Sequence, residues 1–194
     1  MSVSYKGRKF YVKYNCLEVN NLFISDISEI KGLNTLTSLK RLELGGNNFK
    51  KIHGLDNLLS LEELFLNANK IAEIEGLENL INLRRLCLNR NKITEIKCLD
   101  SLINLRELEL SCNQIHEIKG LKTLNKLVRL NLSLNKIRDI EYLYELPNLK
   151  IVILSSNNLS ISQLKRLQSH HKDLIIEFFI NERSWNNPIR ELLT

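Results

Sequence analysis

The sequence predicts an α/β fold: a right-handed solenoid with a parallel β-sheet on its concave side and short 3₁₀ or irregular segments on its convex side. Three observations carry this expectation. An asparagine recurs at Asn47, Asn69, Asn91, Asn113, Asn135 and Asn157, always 22 residues apart, and a fixed period of that order marks stacked repeats. Around each one, alternating leucines such as Leu64 and Leu66 ahead of Asn69 give a short strand with two side chains inward and a turn at the asparagine. The composition agrees: 43% of the 194 residues are hydrophobic and 26% charged, which excludes a disordered tail, while only 6% are aromatic, so the core is aliphatic.

At the amino terminus, residues 3 to 19 read as paired strands. Val3 and Tyr5 lead into Lys6-Gly7, Phe10, Val12 and Tyr14 alternate with Lys9, Tyr11 and Lys13, and Asn15 turns the chain toward Leu17. Counting back from Asn47 gives a first repeat with Leu17, Leu22, Ile27, Ile30, Leu33 and Leu36, in which Asn20 and Ser25 replace a leucine and the asparagine. The frame then recurs without insertion: Leu61, Leu64, Leu66, Asn69, Ile71, Ile74, Leu77 and Leu80 are matched by Leu83, Leu86, Leu88, Asn91, Ile93, Ile96, Leu99 and Leu102. One repeat cannot bury enough apolar surface to order its own backbone, so stacking and sealed ends are required. Ser160 to His170 has helical spacing in Ile161, Leu164 and Leu167, and Leu174 to Ile180 reads as an apolar strand. Ile176, Phe178 and Asn181 follow Val152, Leu154 and Asn157 by 24 residues, as an eighth turn would. Trp185 and a final helix, with Asn187 as N-cap and Pro188 at its first position, close the edge. The expected organisation is one domain, 1–194: a β-hairpin cap over 1–16, seven 22-residue repeats over 17–159, and a helix–strand–helix cap over 160–194.

From Leu17 to about Leu159 this frame resembles the leucine-rich repeat, in the 22-residue class typified by the leucine-rich regulatory subunit of protein phosphatase type 1 and by bacterial internalins. The resemblance implies a protein-interaction scaffold. The Tyr-Arg pair and the Pro-x-Leu-x-x-Leu-Asp run that close many phosphatase regulators do not occur here.

No phosphate loop, dinucleotide fingerprint, nucleophile elbow or HExxH run is present, and no histidine sits at sheet register with a cysteine, so the expectation is a protein that is not an enzyme, with no cofactor and no metal. Cys16, Cys87, Cys98 and Cys112 form no CxxC pair and read as free thiols of a reducing cytoplasm. His53 and His116 fall on the outer side and His170 and His171 end the cap helix, all read as solvated. The net charge of +6 is uneven: residues 17 to 160 carry 19 basic and 18 acidic side chains, residues 161 to 194 five and four, and the remaining +4 is Lys6, Arg8, Lys9 and Lys13 of the hairpin.

The site expected from this pattern is the concave sheet. The residue before the second frame leucine runs Val19, Arg41, Glu63, Arg85, Glu107, Arg129, Ile151, alternating in sign across the centre. The next outward column runs Asn21, Glu43, Phe65, Cys87, Glu109, Asn131, Ile153, with Phe65 and Cys87 as a central anchor beside Arg85 and Arg90. Opposite charges in neighbouring strands also pair for structural reasons, so the ladder has two readings. Gly45, Asn67, Asn89, Ser111, Ser133 and Ser155 either leave the backbone open to a partner or make packing room at the turn. The leading expectation is a monomer that binds a partner protein through the concave face. The alternative is attachment to nucleic acid or an anionic membrane through the hairpin, where Tyr5, Phe10, Tyr11 and Tyr14 interleave with the four cations.

Overall fold

The structure, a computed structural model, describes residues 1–178. The alternating leucines form three-residue strands, β3 (Cys16–Glu18), β4 (Arg41–Glu43), β5 (Glu63–Phe65), β6 (Arg85–Cys87), β7 (Glu107–Glu109), β8 (Arg129–Asn131), β9 (Ile151–Ile153) and β10 (Ile175–Glu177). These pair in sequence order into one parallel sheet of eight strands. Before them lies an antiparallel hairpin, β1 (Ser2–Tyr5) and β2 (Arg8–Tyr11). Its Lys6-Gly7 turn has positive φ at both residues, 47° and 77°, the combination whose twist suits a two-residue hairpin. Behind the sheet, 3₁₀ turns occur at Ile27–Glu29, Leu33–Thr35 and Glu141–Glu145, and the rest of that side is irregular. Among the described residues the one α-helix is α1 (Ile161–His170).

One aliphatic core runs through every repeat, from Val3 in the hairpin to Phe178 beyond β10. The frame leucines and isoleucines from Leu39 to Leu154 are almost all fully buried. The hairpin covers the first edge with Val3 and Tyr5 and is tied down by Ser4 N–H to Lys31 O (3.0 Å) and Lys31 N–H to Ser4 O (2.8 Å). At the other end Ser160 caps α1 through a reciprocal pair with Gln163, and Leu164 and Leu167 seal the core. Ile161, read with them as one face, is exposed at the helix start. The eighth turn follows the 24-residue offset, Ile176 pairing with Val152. The expected strand over Leu174–Ile180 is realised as β10 within the described residues. Asn181, Trp185, Asn187 and Pro188 lie outside them.

The first repeat departs from the 22-residue count. Leu17 pairs with Leu42 and Cys16 with Arg41, an offset of 25, so Cys16 and Glu18 take the outward positions that the count assigned to Val19 and Asn21. An odd shift of three residues exchanges the two faces of a strand, and burial decides which register stands. Leu17 and Val19 point inward and are fully buried, whereas the 22-residue count would have placed Asn20 in the core. The chain absorbs the extra residues on the convex side, where the Ile27–Glu29 turn is capped by Asp26 in a capping box with Glu29.

The asparagine column explains why the repeats stack in fixed register. The Asn91 side-chain N–H₂ donates to Leu88 O in its own repeat and to Leu66 O in the preceding one, both at 3.0 Å, and its Oδ1 accepts from Ile71 N–H at 3.0 Å. Asn69, Asn113 and Asn135 repeat the set, so the carbonyls of Leu66, Leu88 and Leu110 each accept from two successive asparagines. The first repeat has Leu22 at this position, and Asn47 compensates by accepting from both Leu22 N–H (3.0 Å) and Ile24 N–H (3.2 Å). Burial of the column is complete from Asn47 to Asn113 and partial at Asn135 and Asn157.

Removing one amide strands these groups where water reaches them poorly. Asn91→Ala is expected to destabilise the protein by about 1–3 kcal/mol, seen as a lower urea midpoint at unchanged slope.

Candidate functional site

The strands place two columns on the concave face, at a spacing of about 4.8 Å. The first runs Cys16, Arg41, Glu63, Arg85, Glu107, Arg129, Ile151, Ile175, and the second Glu18, Glu43, Phe65, Cys87, Glu109, Asn131, Ile153, Glu177. The alternating charges do not form one continuous ladder. Arg41 bonds Glu63 in the next strand (2.8 Å) and Glu43 in its own (2.6 Å), Arg85 lies 3.3 Å from Glu107, and Arg129 reaches diagonally to Glu109 (3.1 Å). Neither Glu63 with Arg85 nor Glu107 with Arg129 forms an ion pair. At the first of these breaks lies Phe65: the Arg41 guanidinium is 4.4 Å from its ring centroid and the Arg85 guanidinium 5.4 Å. Phe65 is thus an aromatic ring held between two cations, each of the three side chains still partly exposed.

Three sequence-derived site residues have other roles. Cys87 forms the buried floor beside Phe65 and presents little surface, only 5% of it exposed, because Arg85 and the neighbouring strands cover it. Burial pushes its thiol above the ordinary cysteine value, with the Arg85 interaction opposing. Glu109 is buried as well and is occupied by Arg129. Arg90 stands apart from the anchor: it follows β6 in the left-handed turn ahead of Asn91 (φ 56°), exposed, and among the described residues its side chain makes no ion pair or ring contact. Toward the carboxyl end the face becomes apolar at Ile151, Ile153 and Ile175.

The small-residue column is occupied by neighbouring asparagines. Gly45 N–H donates to Asn20 Oδ1 (2.7 Å), Ser111 N–H to Asn89 Oδ1 (3.1 Å), and a Cβ at Gly45 would meet the Asn67 amide at 2.9 Å. At Gly45 and Ser111 the backbone is thus engaged in the turn.

The corrected register brings Cys16, Glu18 and Glu43 together, their ligand atoms within 4.8 Å of one another. The 22-residue count had dispersed them. The group is a poor metal site: Glu43 is already bonded by Arg41 and Asn20, and burial pushes the Cys16 thiol up, holding it protonated. In the hairpin, Lys6 and Arg8 lie over Tyr5 and Phe10, while Tyr11 and Tyr14 are exposed. His53 sits 3.3 Å from Asp26, and His170 packs edge-on against Tyr144. No helix among the described residues is long and apolar enough to cross a membrane.

A curved parallel sheet with an asparagine spine and an aliphatic core defines a repeat solenoid whose wide surface is its concave face. The chain belongs to the leucine-rich repeat family: the model for two copies of the repeat matches residues 37–79, 59–104, 81–123 and 103–145. Among solved structures it is similar to the Listeria monocytogenes internalin InlF, with 31% identity and a TM-score of 0.71 over 85% of this chain and 46% of that one. The internalin C2 of the same organism has 31% identity and a TM-score of 0.64, over 85% and 80% of the two chains. A Leptospira interrogans leucine-rich repeat protein has 26% identity and a TM-score of 0.61, over 75% and 44%. The chain thus spans about half the length of InlF. No curated protein matches the sequence.

Exposure separates the thiols. At neutral pH, iodoacetamide is expected to alkylate exposed Cys98 at least about tenfold faster than buried Cys87, which peptide mass spectrometry resolves.

Proposed function

We propose that this chain is a non-enzymatic scaffold that binds one partner protein through its concave face, with Phe65 as the anchor and Arg41, Glu63, Arg85, Glu107 and Arg129 as its ordered polar surround. Leucine-rich repeats are generally protein-interaction scaffolds, which supports the reading. The observation that carries this reading is the Phe65 ring between two guanidiniums, at the unpaired step between Glu63 and Arg85. Glu43 adjoins the anchor as the register partner of Phe65, and Asn131 lies three strands away; both add polar complementarity. The free thiols favour a reducing cytoplasm, and the hairpin over the first sheet edge favours a monomer. The comparisons give no support to attachment through the basic hairpin to nucleic acid or membrane.

Affinity purification with cross-linking identifies both partner and face. Links are expected from Lys40 and Lys150, beside the strands, over Lys70, Lys92 and Lys136 on the outer side; the reverse distribution moves the interface to the convex surface. Phe65→Ala is expected to weaken the recovered complex at least about tenfold, measured by calorimetry, and an unchanged affinity removes the anchor.

A further inference from the structure

A second surface lies along the flank where the chain enters the strands. A trough of about 470 Å³ crosses consecutive repeats there, lined by Lys40, Arg84, Arg106 and Lys126 with a single carboxylate, Glu62. Glu62 is shared between Lys40 (2.9 Å) and Arg84 (3.5 Å), and the Lys40 ammonium holds its carboxyl below the ordinary value. Arg106 and Lys126 have no carboxylate partner among the described residues; Lys126 donates to Asn104 Oδ1 (2.7 Å). The column here runs Lys40, Glu62, Arg84, Arg106, so alternation fails at one step: Arg84 and Arg106 sit on adjacent repeats, joined by Arg106 N–H to Arg84 O at 2.8 Å. Like charges in adjacent registers repel unless an anion lies between them. Residues 17 to 160 are nearly balanced, with 19 basic and 18 acidic side chains, so this excess is local.

Beside this polar lining runs an exposed aliphatic ridge. Leu59, Ile81 and Ile103 recur one repeat apart, each next in chain to the lining residues Ser60, Asn82 and Asn104, and they are 51–54% exposed. Their carbonyl groups are partly engaged: Leu59 O accepts from Asn82 and Ile81 O from Asn104, both at 2.9 Å, which fixes the ridge in place.

We infer that this trough binds an extended acidic protein segment whose side chains alternate between carboxylate and aliphatic. An extended chain sends successive side chains to opposite sides at about 3.3 Å per residue. Crossing four repeats at about 4.8 Å therefore takes roughly five or six residues, with carboxylates on the Arg84–Arg106 wall and aliphatic groups on the Leu59–Ile103 ridge. The aliphatic ridge, which offers no ring for base stacking, favours such a peptide over a single-stranded nucleic acid. This surface is separate from the concave anchor.

The test uses the 194-residue chain and a fluorescein-labelled peptide of alternating Glu and Leu, read by fluorescence anisotropy at about 0.15 M salt. Saturable binding is expected, weakened at least about tenfold by Arg84→Glu with Arg106→Glu, and at least about fivefold by Leu59→Ser with Ile103→Ser. Arg84→Gln with Arg106→Gln, a milder pair at exposed positions, is expected to weaken binding in the same direction with an unchanged circular dichroism spectrum. Phe65→Ala is expected to leave peptide affinity within about twofold. Absence of binding up to about 1 mM, equal affinity for a Glu-Ser peptide, tighter binding of an oligothymidylate, or a loss caused by Phe65→Ala would each overturn the inference.

Discussion

The structure depends on a carbonyl shared by two asparagines. At the end of each strand the sheet ladder stops and the chain turns, leaving amide and carbonyl groups that strand pairing does not reach. Leu66 O, Leu88 O and Leu110 O each accept from the asparagine of their own repeat and from that of the next, while each asparagine Oδ1 takes an N–H of the preceding repeat, as Asn91 takes Ile71 N–H. Serine cannot supply this set, because it lacks a planar amide with donor and acceptor on one rigid group. The hydrophobic core holds the repeats together; the amides fix the step from one to the next.

That fixed step turns a repeating sequence into a surface. Strands locked in register carry residues 22 apart into straight columns, so the sequence between the frame leucines becomes a pattern across the face. On the concave side the pattern is a charge ladder interrupted at two steps, with Phe65 at the first. On the flank it is an arginine pair with an exposed aliphatic row nearby in the chain. The two surfaces lie on the same rigid repeats but differ in chemistry, and a scaffold with both can hold two elements of one partner or of two partners without moving itself.

Much of this was legible in the sequence, for a physical reason. The asparagine and leucine columns tolerate no insertion between Leu39 and Leu154, so counting by 22 placed every central strand residue correctly. Counting failed at the first repeat, where Leu22 stands in place of the asparagine and three further residues enter the convex side. The Leu17–Val19 alternation carries the correct register, but it is too short to outweigh a long periodic count. Which charges pair was also illegible, because Arg41 and Arg129 choose between partners by side-chain geometry and not by column. Burial of Cys87 and the separation of Arg90 from Phe65 have the same origin: spacing gives the strand position, while neighbours decide exposure.

The shared-carbonyl spine is tested most directly by amide hydrogen exchange in Asn91→Ala, residue by residue, against the unchanged protein. The Ile71 amide, which donates to Asn91 Oδ1 at 3.0 Å, should lose protection by at least about tenfold, with a smaller loss at Lys136 N–H, two repeats beyond Asn91. Unchanged protection at Ile71, or an equal loss at every repeat, would contradict the account.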